Sequence, residues 1–131
     1  MVILDTNIII DHLRSSTSHE TALIKLVKKY PKLSLSISLL SVQELYEGSS
    51  TRIEDREKDL LATISPLRLL PYTYEVAKLA GMIARDLKKP IELADAAIAA
   101  TAILNHAELY TLNTKDFVAI PDLALFSNLE N

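Results

Sequence analysis

The strongest constraint in this sequence is an alternation. Short apolar runs at residues 2–5, 66–70, 109–112 and 123–126 have the length of buried strands. The stretch Leu33-Ser34-Leu35-Ser36-Ile37 has the period of two that strands require. Between these runs lie segments of helical period: Ile8–Leu13, residues 19–30, Val42–Glu47, and residues 52–64, 72–88 and 92–105. In 52–64 the residues expected to face inward are Ile53, Leu60, Leu61 and Ile64; in 72–88 they are Tyr72, Val76, Leu79, Ala80, Ile83 and Leu87. Strands separated by helices predict an α/β fold of βαβ units, with one central parallel sheet of four to five strands and helices on both faces. Residues 1–131 show no linker, repeat or low-complexity segment, so a single domain is expected.

Composition removes several classes of function. There is no cysteine, which excludes disulfides, thiolate zinc sites and cysteine nucleophiles. The two glycines, Gly48 and Gly81, are too far apart for a phosphate-binding loop. His12, His19 and His106 lack the H-E-x-x-H spacing of a zinc hydrolase, and no G-x-S-x-G elbow is present. No apolar run approaches the ~18–20 residues of a membrane span. The opening Met-Val-Ile-Leu-Asp carries neither the basic region nor the cleavage site of a signal peptide, so a cytoplasmic chain is expected.

In parallel sheets of this kind ligands bind beyond the carboxyl ends of the strands. Acidic residues recur at those positions. Asp5 ends the first strand, where it can serve chemistry or cap the next helix. Glu44 follows the second strand within Ser41-Val42-Gln43-Glu44, which also reads as a capping box. Asp95 stands in Leu93-Ala94-Asp95-Ala96-Ala97-Ile98-Ala99-Ala100, where an ionised carboxylate is costly unless paired or metal-bound. The helix dipole offers it only ~0.3–1 kcal/mol in return. Asn113 and Asp116 follow the fourth strand; singly, each is an ordinary turn residue.

Grouped at one sheet edge, these acids would repel one another and raise each other's pKa. A divalent cation removes that repulsion, and oxygen-only ligands suit Mg²⁺ or Mn²⁺. Such a metal activates water and stabilises phosphoryl displacement, so phosphodiester hydrolysis is the chemistry expected.

These residues resemble a known family. Leu4-Asp5-Thr6-Asn7, the Ser-x-x-Glu-Leu-x-x-Gly stretch from Ser41 to Gly48, the run from Ala94 to Ala102, and Thr111-x-Asn113-x-x-Asp116-Phe117 are similar to PIN domains, most of all to the VapC toxins of toxin–antitoxin pairs. The resemblance runs in order from residue 2 to about residue 126. It implies a three-layer α/β/α sandwich and a Mg²⁺- or Mn²⁺-dependent ribonuclease hydrolysing RNA through metal-activated water. It places the metal-binding acids at Asp5, Glu44 and Asp95, with Asp116 or Asn113 as the fourth ligand. Thr6, Asn7 and Thr111 match positions that orient the acids through hydrogen bonds. The resemblance further implies a small inhibiting antitoxin and a homodimer. A glycine is frequent in the family after the alanine-rich helix, where this chain has Asn105-His106-Ala107.

Two other readings stand beside it. One is a catalytically silent PIN module that binds RNA or a protein partner. The other is a phosphoacceptor receiver domain, which needs a lysine after its fifth strand; this chain has only Ser127 and Asn128 there. The formal charge of −3 and pI of about 5.6 argue against a simple basic RNA binder. With four of the 17 acidic residues neutralised by metal, however, the 14 basic ones slightly outnumber the rest. Arg14 and Lys115, near the proposed site in sequence, are expected to contact phosphate. Lys25, Lys28, Lys29 and Lys32 read equally as a phosphate-contacting side or a solvated one.

Overall fold

The structure, a computed structural model, describes residues 1–15 and 19–127. The strands are β1 (Val2–Leu4), β2 (Leu35–Ser38), β3 (Arg68–Leu70), β4 (Glu108–Tyr110) and β5 (Ala124–Leu125). The helices are α1 (Thr6–Ser15), α2 (Ala22–Lys29), α3 (Leu39–Glu47), α4 (Glu54–Ile64), α5 (Tyr74–Asp86) and α6 (Leu93–Leu104). The strands form one sheet in the order β3-β2-β1-β4-β5, with every pairing parallel. No helix among the described residues is long and apolar enough to cross a membrane.

Strand alternation divides the core into two layers. On β1, Val2 and Leu4 face one side and Ile3 the other. Val2 and Leu4 join Ile8, Leu26, Leu45 and Leu60, so α1, α2, α3 and α4 cover that face. Ile3 and Leu109 join Val76, Ile83 and the alanines of α6, so α5 and α6 cover the other. This is the α/β/α arrangement expected from the alternation of strands and helices. The strand order differs from the receiver arrangement, in which the first strand lies between the second and third, and so removes that reading.

Several element boundaries move, each for a local reason. Helix α3 begins at Leu39 rather than Val42, because Ser38 at the end of β2 caps it by accepting the Leu40 N–H at 3.0 Å. Ser41 is therefore inside the helix and its capping-box reading falls. In α4 only Leu60 and Ile64 turn inward; Ile53, which precedes the helix, and Leu61 are about half exposed. Tyr72 lies before α5, which Thr73 caps by accepting the Val76 N–H at 3.2 Å. Strand β2 begins at Leu35 rather than Leu33, because Lys32–Ser34 forms a 3-10 turn; within the strand Ser36 is fully buried and donates to the Val2 carbonyl at 3.2 Å. Residues 129–131, where fraying is expected at the end of a chain, lie outside the described residues.

Helix α6 explains its own composition. Ala96 to Ala102 are all buried, and their small side chains let the helix lie close to the sheet and to α5. It ends with His106 in the left-handed region, at φ 52°, at the position where the glycine was anticipated.

Candidate active site

The sheet runs from β1 to β2 and β3 on one side and to β4 and β5 on the other. The point of reversal lies between β1 and β4, where parallel sheets open a crevice at their carboxyl edge. Asp5 immediately follows β1, and Thr111 immediately follows β4. The Asp5 N–H donates to the Tyr110 carbonyl at 2.9 Å, and the Asp5 carbonyl accepts the Ile8 N–H at 3.0 Å, so its backbone ends the ladder and starts α1.

The Asp5 side chain is buried and held at both oxygens. Oδ1 accepts the Thr6 N–H at 2.8 Å, and Oδ2 accepts the Thr111 hydroxyl at 2.7 Å. Thr111 is itself fixed: its Oγ1 accepts from Asn7 Nδ2 at 3.3 Å and from the Asn113 N–H at 3.0 Å. Asn7 Oδ1 accepts the Leu112 N–H at 3.3 Å. Asn7 and Thr111 thus lock the loop after β4 onto the start of α1.

Thr6 ties the same corner to α3. Its hydroxyl donates to Glu44 Oε1 at 2.6 Å and shares a 2.9 Å hydrogen bond with Ser41 Oγ. Ser41 is fully buried beneath this pair. Sequence reading missed its part, because the S-x-x-E spacing that places Ser41 one turn before Glu44 is also that of a capping box. Glu44 consequently makes no cap and stands in mid-helix, half-buried.

Asp95 lies in the first turn of α6 and is also half-buried. The electrostatics bring the four acids together. Burial raises the Asp5 carboxyl above the ordinary aspartate value, against the hydrogen bonds from Thr111 and Thr6, and the charge of Asp116 adds to the rise. Glu44 is raised first by burial, then by Asp5, Glu47 and Glu92, against the Thr6 hydrogen bond. Asp95 is pushed up to about 6 by burial and by the charges of Asp5, Glu92, Glu44 and Asp116. Glu92 is a second residue that sequence reading passed over. It stands one turn before Asp95, at the N-cap position of α6, where its side chain makes no capping hydrogen bond.

Asp116 is exposed in a short 3-10 turn, Thr114–Asp116, that begins after Asn113. Its charge is felt at both Asp5 and Asp95. Asn113 is exposed, and the hydrogen bonds at hand show its backbone holding the loop: its N–H meets Thr111 and its carbonyl accepts the Asp116 N–H at 3.0 Å.

Two grooves reach the cluster. One, of about 540 Å³, passes between α1, α3 and α4 and is lined by Arg14, Arg56, Leu13, Leu60 and Glu44. The other, of about 1000 Å³, has Asp95, Asp116 and Lys115 in its wall. Arg14 and Lys115 therefore sit in different grooves. Lys25, Lys28, Lys29 and Lys32 line neither, and Lys28 pairs with Glu20 at 3.1 Å.

The donor set is chemically suited to a hard divalent cation: it is all oxygen, and burial and neighbouring charge raise the proton affinity of Asp5, Glu44 and Asp95, which a cation would reverse. Among the described residues no group of three or more histidine or acidic side chains is arranged to hold an ion as it stands. An ion here would draw the carboxylates together or reach some of them through water, as Mg²⁺ commonly does.

The same residues carry a family signature. The PIN domain family model matches residues 2–123. Ribonuclease VapC10 of Mycobacterium tuberculosis is 31% identical over 120 residues, covering 89% of this chain and 86% of that protein. Among solved structures, VapBC2 from Rickettsia felis, bound to a DNA fragment from their promoter, superposes with a TM-score of 0.79 at 25% identity, over 96% of this chain and 98% of that one. A toxin–antitoxin complex from Klebsiella pneumoniae gives 0.74 at 28% identity, over 95% and 96%. A family match over nearly the whole length, joined to an acidic cluster at the reversal point of the sheet, has one consequence: the chain belongs to the PIN-domain family, among relatives of the VapC ribonucleases.

Proposed function

We propose that this chain is an endoribonuclease, the toxin of a toxin–antitoxin pair, that hydrolyses RNA phosphodiester bonds with Mg²⁺ or Mn²⁺. The observation that carries the reading is Asp5: buried at the reversal point, clamped at both oxygens, and electrostatically coupled to Asp116 and to the carboxylates of α3 and α6. In this reading Asp5, Glu44 and Asp95 hold the cation and Asp116 completes the set. Asp116 suits the fourth place better than Asn113, because its charge reaches both Asp5 and Asp95. When bound, the cation would supply water activation and stabilisation of charge on the phosphate.

The chain's own residues do the positioning. Thr111 and the Thr6 amide fix the direction of the Asp5 carboxylate, and the Thr6 hydroxyl fixes Glu44. Oriented carboxylates lose little freedom when a ligand arrives, the usual benefit of hydrogen bonds behind a site. Arg14 and Lys115 bring positive charge to the two grooves and are proposed to contact phosphate. The toxin–antitoxin complexes among the structural relatives support a small protein partner that inhibits the site. A homodimer belongs to the same proposal.

The test is cleavage of RNA with Mg²⁺ or Mn²⁺, with and without chelator, by the wild type and by Asp5→Asn. The expected result is metal-dependent cleavage that the variant loses by at least about 100-fold. Undiminished cleavage by the variant, or in chelator, would sink the reading; tight RNA binding with no turnover under any condition would point instead to a silent module.

A further inference from the structure

Most buried hydroxyls among the described residues serve the backbone near them. Thr21 and Ser38 cap α2 and α3, and Ser36 donates to the Val2 carbonyl. Thr101 turns back to the Ala97 carbonyl of its own helix at 2.7 Å, the ordinary resort of a hydroxyl buried inside a helix. Ser41 is just as buried and just as deep in a helix, yet its hydrogen bond leaves α3. It meets Thr6 Oγ1 at the start of α1, at 2.9 Å. Ser41 and Glu44 stand three residues apart on one face of α3, and the Thr6 hydroxyl touches both.

Counting protons gives this chain of contacts a direction. An ionised Glu44 can only accept, and the Thr6 hydroxyl has one proton to give. The 2.6 Å between Thr6 Oγ1 and Glu44 Oε1 is the length of a hydroxyl donating to a carboxylate. The proton in the Ser41–Thr6 bond is therefore Ser41's: Ser41 donates to Thr6, and Thr6 donates to Glu44. A hydroxyl that accepts one hydrogen bond donates the next more strongly. The geometry also shows why Glu44 needs such support. Asp5 is buried and held at both oxygens, whereas Glu44 is half-buried on the wall of a groove, with the Thr6 hydroxyl as its one side-chain hydrogen bond among the described residues. A glutamate has three side-chain torsions to lose when it takes a ligand.

We propose that Ser41 is a positioning residue of the acidic site: acting through Thr6, it holds the Glu44 carboxylate in direction and so sets how tightly the site takes its divalent cation, without touching cation or RNA. The inference rests on the metal-dependent reading and adds to it a residue whose spacing had suggested a helix cap. Orientation supplied from behind a ligand is paid before the ion arrives, which is why such partners affect affinity without contact.

The test reads Mn²⁺ binding to the full chain without RNA, from the electron paramagnetic resonance signal of the free ion. Ser41→Ala should raise the dissociation constant about tenfold. Ser36→Ala removes an equally buried hydroxyl that serves only the Val2 carbonyl, and should leave the constant within about twofold. Thr6→Val keeps the shape and removes the hydroxyl between the two residues; it should weaken binding at least as much as Ser41→Ala. Adding Ser41→Ala to Thr6→Val should then change little, because the link is already cut. Ser41→Ala with wild-type affinity, or an equal loss in Ser36→Ala, would overturn the proposal. So would independent, multiplying losses in the double variant, or a Thr6→Val variant that binds Mn²⁺ as the wild type does, an outcome readable even if Ser41→Ala fails to fold. Metal-dependent cleavage of RNA by the wild type would keep the ribonuclease reading in each of those cases. A wild type that binds no Mn²⁺ would overturn both.

Discussion

Asp95 shows how one residue carries opposite demands. Its carboxyl is pushed up to about 6 by burial and by four neighbouring acids. The folded state therefore binds the Asp95 proton more tightly than the unfolded chain does. It follows that its contribution to metal-free stability is fully present below the unfolded value of about 4, is lost as pH rises through about 6, and is flat above. Asp5 and Glu44 are raised in the same direction and add to the trend. Asp95→Asn removes the charge and keeps the shape. In chelator at pH 7 it should raise the melting temperature by roughly 2–5 °C, while at pH 4 the two proteins should melt together. Equal melting at both pH values would mean that the repulsion is relieved by other means. The same substitution should abolish RNA cleavage, which is the usual exchange of stability for function at a site. Asp95 was legible in sequence because an acid in an alanine-rich helix lacks a structural excuse. Ser41 was not, because its spacing to Glu44 satisfies a local rule, and only the approach of Thr6 from another element reveals its contact.

Among the elements, α6 and the turn after it show the clearest division of roles. The helix is legible from its alanines, since a segment apolar on nearly every side belongs in an interior. Its end is less favourable. His106 adopts φ 52°, a conformation that costs a side-chain residue about 1–2 kcal/mol and glycine almost nothing. Glycine's greater freedom in the unfolded chain offsets part of that gain. His106→Gly should therefore stabilise the fold by roughly 0.5–1 kcal/mol, seen as a higher urea midpoint with an unchanged slope. RNA cleavage should be unaffected, because the turn lies at the end of α6 opposite Asp95. An unchanged or lower midpoint would show that the His106 side chain contributes contacts worth the strain. Helix α3 shows the reverse case. Its start was misplaced because two serines, Ser38 and Ser41, both offer a cap, and the end of β2 decides between them.

At the scale of the whole molecule, the candidate site belongs to no single element. Asp5 comes from the end of β1, Glu44 from α3, Asp95 from α6 and Asp116 from the loop after β4. A cation held there would bridge elements on both faces of the sheet and stabilise only the folded chain. At a concentration about 100 times its dissociation constant it should add about 2.7 kcal/mol. Titrating Mg²⁺ or Mn²⁺ near neutral pH should accordingly raise the melting temperature of the wild type and leave Asp5→Asn nearly unmoved. An equal rise in both would place the ion elsewhere.

The sequence by itself determined the class of fold and pointed to the four acids proposed for the site. Strand and helix periods are local, and a carboxylate after an apolar run marks a strand end without knowledge of its neighbours. Only the tertiary structure decided how those ends meet. The strand order sets Asp5 beside Thr111, 106 residues away in sequence, and the packing of α3 sets Glu44 against Thr6. It also separated Arg14 from Lys115 into two grooves. Contacts of that kind depend on which strand lies next to which, a property of the assembled sheet that no local pattern encodes.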